Sequence, residues 1–141
     1  MLTTLIAVDG SEHSLRAVEH VCRLAAAGLQ MDVHLLNVQI PVDSAHVRMF
    51  VEAELIDDYY RTEGLAVLAP AVSRLEASGI ACKRHLAIGH AAETIVHYAS
   101  RFSAGLVVMG SHGRGALKHM LLGSVATDVL RDVDAAVTLV H

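Results

Sequence analysis

The chain has 141 residues, of which 53% are hydrophobic and 18% are charged, and its net charge is -4 with neutral histidines. This length predicts a single domain over residues 1–141 that buries a full core without disulfides or metals, and the apolar content favours a central layer covered on both faces. The absence of a dense lysine and arginine run, together with an aromatic content of 4%, argues against a nucleic-acid partner.

The apolar residues at the start of the sequence lack the basic segment of a secretory leader. No uncharged window reaches the roughly 18 residues that span a bilayer. We therefore expect a cytoplasmic protein with no membrane partner. The cysteines, Cys22 and Cys82, lack the close spacing of a zinc site or a redox pair, and we expect buried apolar thiols.

The first part of the chain predicts a strand, a helix and a second strand. The apolar run 5–8 indicates a strand buried on both faces, and Ser11 is placed to cap a helix that ends near Gly28. A second apolar run, 33–38, predicts the next strand. The predicted apolar stripe of the helix consists of Leu15, Val18, Cys22, Ala25 and Leu29.

Residues 43–78 carry two apolar stripes at helical spacing, which Gly64 and Pro70 interrupt. We expect either two helical pieces or one kinked helix. The acidic residues in this region have no fixed ligand pattern, so a solvated helix face is the better interpretation than a metal site. They are Glu52, Glu54, Asp57 and Asp58.

The second half of the chain continues the alternation. Strands are predicted at 80–88, where Lys83 and Arg84 favour a position near a sheet edge, at 106–109 and at 136–140. Helices are predicted after Gly89 and from Ser124, which can serve as a cap. Such alternation predicts an α/β fold, with an essentially parallel sheet and helices on both faces.

A glycine-rich stretch at 110–115 follows the fourth predicted strand, and nine residues separate Gly113 from Gly123 and Ser124. Small residues at the end of a buried strand let backbone N–H groups meet an anion, so we interpret the stretch as a phosphate cradle. Asp9 ends the first strand. If the first and fourth strands are neighbours, Asp9 and Gly110 flank one crevice at the carboxyl ends of the sheet.

Other kinds of site fit the sequence less well. The histidine pairs His13/His20, His90/His97 and His112/His119 are seven residues apart, which is too wide for two metal ligands on one helix. The chain has no Walker motif and no dinucleotide fingerprint after its first strand. A phosphoacceptor receiver domain would have paired acidic residues at the end of the first strand, where this sequence has only Asp9.

The pattern Gly110-x-x-Gly113, nine residues, Gly123-Ser124, together with Val8-Asp9-Gly10-Ser11, closely resembles the ATP-binding branch of the universal stress protein family. The resemblance covers the whole chain and includes 35–38 and 122–126. It implies a five-stranded parallel sheet in the order 3-2-1-4-5 with Rossmann-like, doubly wound topology. It also implies ATP, ADP or AMP in the crevice, with Mg²⁺ or Mn²⁺, and a homodimer joined partly through strand 136–140.

The resemblance also implies which residues bind the nucleotide. Asp9 faces the ribose, the phosphates or a metal ion, the backbone of Val38 meets the adenine edge, and Gly110 approaches the ribose. Gly105 and the pair 135–136 depart from the usual family pattern, which affects the start of the fourth strand and the dimer edge. The full set of expected nucleotide contacts is Ala7, Asp9, Val38, Met109, Gly110, His112, Gly113, Arg114, Gly115, Gly123, Ser124 and Val125.

Three functions are compatible with these observations. The preferred one is a nucleotide-dependent regulatory or signalling homodimer of the stress response, in which ATP hydrolysis is slow or absent. A slow ATPase is the second, and it needs a base for which Asp9 is the available carboxylate. A structural or partner-binding dimer with no nucleotide is the third.

Overall fold

The computed structural model describes residues 1–41, 53–113 and 121–141. In these residues five strands and four helices alternate. The strands are β1 (Leu2–Ala7), β2 (Met31–Gln39), β3 (Cys82–Ile88), β4 (Leu106–Gly110) and β5 (Ala136–Val140). The helices are α1 (Glu12–Ala26), α2 (Ala53–Ala77), α3 (Ala91–Arg101) and α4 (Ser124–Asp132).

The five strands form one parallel sheet in the order β3-β2-β1-β4-β5. In this sheet Ile6 of β1 lies in register with Leu35 of β2 on one side and with Val108 of β4 on the other. The α/β fold and the strand order are confirmed. β3 lies at one edge, as its charged residues indicated, and both Lys83 and Arg84 are exposed.

Apolar side chains fill both faces of the sheet because successive residues of a strand point to opposite sides. Ile6 belongs to a cluster with residues of α1 and α2, whereas Leu5 belongs to a second cluster with residues of α3 and α4. Both side chains are fully buried. Burial of one such side chain contributes about 1.5–3 kcal/mol, so β1 is held from both faces.

Helix α1 begins as predicted, since the Ser11 hydroxyl accepts a hydrogen bond from the backbone N–H of Ser14 at 3.2 Å. Of the predicted apolar stripe, Val18 is buried in the core and Cys22 packs against it half-buried, whereas the other three positions do not belong to the core. Leu29 lies beyond the helix, which ends at Ala26, and small residues rather than large ones allow the helix to approach the sheet. The residues that α1 buries are Ser14, Ala17, Val18 and Val21.

Helix α2 is continuous through Gly64 and Pro70, so the alternative of two helical pieces is wrong for residues 53–77. Gly64 allows the helix to pack closely on the sheet, because a β-carbon at this position would lie 2.6 Å from Leu86 Cδ2. The predicted start of this region, including Glu52, lies outside the described residues. Asp58, at the start of the described side chains, is exposed.

The two cysteines are free and half-buried, so the expectation of fully buried thiols was only partly right. Burial raises the pKa of the Cys82 thiol. Among the helices of the described ranges, none combines the length and the apolar character that crossing a membrane requires.

Candidate functional site

A cavity of about 510 Å³ lies at the carboxyl ends of β1, β2 and β4. Ligands of open parallel sheets bind in this position, where the strand order reverses on either side of β1. Helices α2, α3 and α4 contribute to its walls. Its lining residues include Val8, Ser11, Ser14, Asn37, Gln39, Glu63, Val67, Ala91, Ile95, Ser111 and Ala126.

Most of the residues that the sequence singled out also line this cavity. Asp9 and Gly110 flank one crevice as predicted, because β1 and β4 are paired. Arg114 and Gly115 lie outside the described residues. The predicted residues that line the cavity are Ala7, Asp9, Val38, Met109, Gly110, His112, Gly113, Gly123, Ser124 and Val125.

The turn between β1 and α1 fixes the position of Asp9. Gly10 has a φ of 84°, which only glycine adopts readily, and the chain reverses there into the helix. Asp9 Oδ1 accepts a hydrogen bond from the backbone N–H of Ser11 at 2.9 Å, and the N–H of Asp9 donates to Ser14 Oγ at 3.4 Å. The Asp9 carboxylate is therefore held by the backbone at one end of the cavity.

The loop after β4 packs directly on this carboxylate. A β-carbon at Gly113 would lie 2.6 Å from Asp9 Oδ2. Gly123 closes the loop from the other side, since its N–H donates to the carbonyl of Ser111 at 2.8 Å and a β-carbon there would lie 3.3 Å from His112 Cα. The two glycines therefore bring the ends of the nine-residue gap together.

Gly110 has a role in packing besides the ribose contact that the resemblance implied. A β-carbon on Gly110 would lie 2.7 Å from His13 Cβ and 3.0 Å from the backbone nitrogen of Ser14. The missing side chain therefore makes room for the start of α1. Gly110 still lines the cavity, and its contact with a ribose stays a prediction.

Helix α4 begins at the wall of the cavity. Gly123, rather than the predicted Ser124, is its N-cap, and the Gly123 carbonyl accepts from both the N–H and the hydroxyl of Thr127. The first N–H groups of a helix have no acceptor within it, and here they belong to residues of the cavity lining, Ser124 to Ala126. The positive end of the helix dipole therefore favours an anion at this place.

Sequence reasoning missed a polar pair at the other end of the cavity. Asn37 is 2% exposed, and its Nδ2 donates to the carbonyl of Val8 at 2.8 Å. Gln39 Nε2 donates to Asn37 Oδ1 at 2.5 Å. An asparagine within the apolar run 33–38 was the available signal, because a polar side chain in a buried strand needs a specific partner.

Ser111 was also missed, although it lies inside the glycine-rich stretch. Its side chain is fully buried, and its hydroxyl oxygen lies 3.0 Å from His112 Nδ1 and 2.9 Å from His141 Nδ1. One hydroxyl can donate to only one of these nitrogens, so at least one imidazole donates to the oxygen. This arrangement fixes the loop, and the His112 ring also lies 5.4 Å from that of His13.

The cavity thus has two chemically distinct ends. Glycine backbone and the start of α4 form a polar end that suits phosphate or another anion. Apolar side chains, some of them from β2, line the other end, which suits a base ring and which we call the apolar slot. The apolar side chains of this slot are those of Ala7, Leu36, Val38, Ile95 and Met109.

No cluster of three or more histidine, cysteine, aspartate or glutamate side chains with the arrangement of a metal site occurs within the described ranges. The acidic side chains in the cavity lining are Asp9, at the polar end, and Glu63, from α2. The Asp9 carboxylate is the acidic group next to the glycine loop.

Comparisons with known proteins agree with this geometry. The family model described as the universal stress protein family matches residues 1–141. The chain is 30% identical over 138 residues to universal stress protein MJ0531 of Methanocaldococcus jannaschii, covering 96% of this chain and 79% of that protein.

Solved structures are similar over almost the whole chain. The hypothetical protein MJ0577 superimposes with a TM-score of 0.84 at 28% identity, covering 99% of this chain and 94% of the other. A universal stress protein in complex with cAMP superimposes with a TM-score of 0.74 at 27% identity, covering 99% and 97%. This chain is a member of the universal stress protein family.

Proposed function

We propose that this protein binds ATP, or a related adenine nucleotide, in the cavity at the carboxyl ends of β1, β2 and β4. The observation that carries the proposal is that one end of the cavity suits an anion and the other end suits an apolar ring. The start of α4 and the glycine loop form an anion-binding end, and an apolar slot beside β2 forms the other. A nucleotide has the same division into phosphate and base.

In the proposed pose the base lies in the slot, against the backbone of Val38. The phosphates lie between Gly113 and the N-terminus of α4, where the Ser124 hydroxyl adds a donor to the free N–H groups. The ribose lies between these ends, near Asp9 and Gly110. A family member that binds cAMP, which has an adenine base and a phosphate, supports this choice of ligand class.

Asp9 is suited to a divalent cation that accompanies the phosphates. Its carboxylate is a hard oxygen ligand, and Mg²⁺ typically takes one or two carboxylates with phosphate oxygens and water. When bound, Mg²⁺ or Mn²⁺ neutralises the charge of a polyphosphate beside the carboxylate. Asp9 would hold the ion, and the hydrogen bond from the N–H of Ser11 orients the carboxylate for that contact.

We further propose that the protein works in the cytoplasm as a nucleotide-dependent regulatory homodimer in the stress response, with hydrolysis slow or absent. β5 supports the dimer as a contact surface, since it lies at the edge of the sheet and pairs only with β4 in the described sheet. Unpaired backbone groups at an edge strand favour association with another chain. Nucleotide binding then stabilises one state of the dimer.

Calorimetric titration with ATP and Mg²⁺ tests the binding site. Ser124→Ala removes a hydroxyl at the start of α4, whereas Ser100→Ala removes one from an exposed position of α3. We expect Ser124→Ala to weaken ATP binding by about tenfold to 150-fold, the value of one hydrogen bond to a charged group. Ser100→Ala should bind as the wild type does. Equal affinities for the two variants would contradict the proposed position of the phosphates.

Phosphate release under the same conditions separates the proposal from a slow ATPase. We expect no turnover that depends on Asp9. Steady hydrolysis that Asp9→Ala abolishes while ATP binding is retained would instead identify an enzyme with Asp9 as its base. A protein that binds no nucleotide under any condition would favour the partner-binding dimer.

A further inference from the structure

A hydrogen-bonded row of titratable side chains crosses β2 and β3 away from the cavity. Asp32 Oδ2 lies 3.1 Å from His34 Nε2, and His34 Nδ1 lies 2.9 Å from His85 Nε2. His34 is 5% exposed, whereas Asp32 and His85 are half-buried. We call these three side chains the histidine row.

Helix α3 covers the histidine row with aromatic rings. Phe102, the residue that ends α3, stacks on His34 at a centroid distance of 4.5 Å and lies 4.6 Å from the ring of His85. Tyr98 contacts Phe102 at 5.5 Å and His85 at 6.2 Å. The histidine row is therefore part of the contact that holds the end of α3 on the sheet.

The row can hold only a limited number of protons. An ionised Asp32 accepts, so His34 Nε2 carries a hydrogen, and a neutral His34 accepts the N–H of His85 at Nδ1. One added proton on either ring leaves a donor and an acceptor between the two rings. With two added protons both facing nitrogens are donors 2.9 Å apart, so the bond is lost and like charges repel.

The same helix also reaches the candidate nucleotide site. Ala91 and Ile95, in the first half of α3, line the cavity, whereas Tyr98 and Phe102 lie over the histidine row. A helix moves largely as one body, so loosening at its end changes the wall of the cavity.

We propose that the histidine row is a proton-operated clamp: it holds α3 on the sheet while it carries at most one added proton, and protonation of both imidazoles releases the helix and lowers nucleotide affinity. The effect on the nucleotide rests on the proposed function, whereas the release of α3 does not.

The charged groups around the row set the pH at which it opens. Burial lowers the pKa of His85, and the positive charges of His34, Arg101 and Lys83 lower this pKa further. Asp32 places a negative charge beside His34. The Lys83 ammonium lies 3.6 Å from that carboxylate.

On α3, Arg101 lies over the rings of Tyr98 and Phe102, and the exposed His97 meets Tyr98 edge-on. Tyr98 is the other titratable side chain that α3 places against His85. His97 lies outside the hydrogen-bonded row and serves as a matched control on the same helix.

Hydrogen exchange of the α3 amides tests the clamp without any nucleotide. After correction for the intrinsic chemical rate, we expect α3 of the wild type to exchange at least about fivefold faster at about pH 5 than at about pH 7.5. His85→Gln should remove this acceleration, because a glutamine amide donates to His34 Nδ1 and does not titrate. His97→Gln should behave as the wild type does.

A second variant decides the case if His85→Gln does not fold. Asp32→Asn keeps an oxygen acceptor for His34 but removes the negative charge, so the opening of α3 should move to a lower pH. The clamp is overturned if α3 exchange has the same pH dependence in the wild type and His85→Gln, or in Asp32→Asn where His85→Gln does not fold.

ATP titration at the same two pH values then tests the coupling. We expect a loss of affinity of about fivefold or more at the lower pH in the wild type, and a smaller loss in His85→Gln. If α3 opens but affinity changes equally in both proteins, the clamp stands and its effect on the nucleotide is overturned. If ATP binds at neither pH, the proposed function fails, and the exchange result still decides the clamp.

Discussion

Asp9 and Gly113 come so close that a β-carbon on residue 113 would lie 2.6 Å from Asp9 Oδ2. The same carboxylate accepts the N–H of Ser11 through its other oxygen, so it cannot move away without disturbing the turn into α1. This contact joins the end of β1 to the loop after β4. It therefore places the proposed metal ligand Asp9 directly beside the loop that is proposed to bind the phosphates.

Gly113→Ala should weaken ATP binding by about tenfold or more, because the new methyl group displaces either the loop or the Asp9 carboxylate. Calorimetric titration measures the change. Gly105→Ala is a matched control, since its β-carbon meets only the flexible end of Leu2 closely, next to the amino end of β4 and away from the cavity. Equal loss of affinity in both variants would mean that Gly113 has no specific role in binding.

Asn37→Ala should lower the free energy of unfolding by about 1–3 kcal/mol, since it leaves the carbonyl of Val8 without its side-chain donor. Urea denaturation of the purified protein measures this change. Gln30→Ala removes an exposed carboxamide just before β2 and should change stability little. If Asn37→Ala is as stable as Gln30→Ala, the buried hydrogen bond does not stabilise the end of β1.

Stability should fall in two steps on acidification. Burial lowers the pKa of His85 from 6.5, and the hydrogen bond from His34 lowers the pKa of Asp32 from 3.8. In both cases the unfolded chain binds the proton at a higher pH than the folded protein does. The contribution of His85 is therefore complete above about pH 6.5 and is lost as the pH falls from there through the lower pKa of the folded protein, and that of Asp32 is complete above about pH 3.8 and is lost below it in the same way.

Urea midpoints across this pH range check the two steps. His85→Gln should lack the upper step, Asp32→Asn should lack the lower one, and His97→Gln should show both. An upper step that persists unchanged in His85→Gln would show that another group causes it.

Thr138→Lys tests whether β5 forms the dimer contact. Thr138 lies at the middle of this edge strand, half-buried and in register with Val108. We expect light scattering to give twice the 15.0 kDa mass of the chain for the wild type and a single chain for the variant, because a charge at the strand edge opposes pairing. A dimer that survives this substitution would place the interface elsewhere.

The alternation of apolar runs and helical stripes was enough to predict the α/β class, because strand and helix periods differ clearly. The order of the strands came from the family resemblance, since crossover connections alone allow several orders. The stripe of α1 was right only in part, at Val18 and Cys22, because the small residues Ser14 and Ala17 also face inward, where large apolar residues were expected.

The candidate site was predictable where backbone geometry dominates. Glycines at strand ends indicated the cavity, but Asn37 and Ser111 act through partners distant in sequence, Val8 and His141, which no local pattern identifies. The contact of Gly110 with the start of α1 likewise depends on how the strands are paired.

The most direct test of ATP binding is mass spectrometry of the nucleotide released from freshly purified protein, followed by ATP titration of the emptied protein. We predict that an adenine nucleotide is released, or that ATP binds the emptied protein with one site per chain. Absence of any adenine nucleotide in the preparation, together with no heat of binding on titration with ATP and Mg²⁺, would contradict the account.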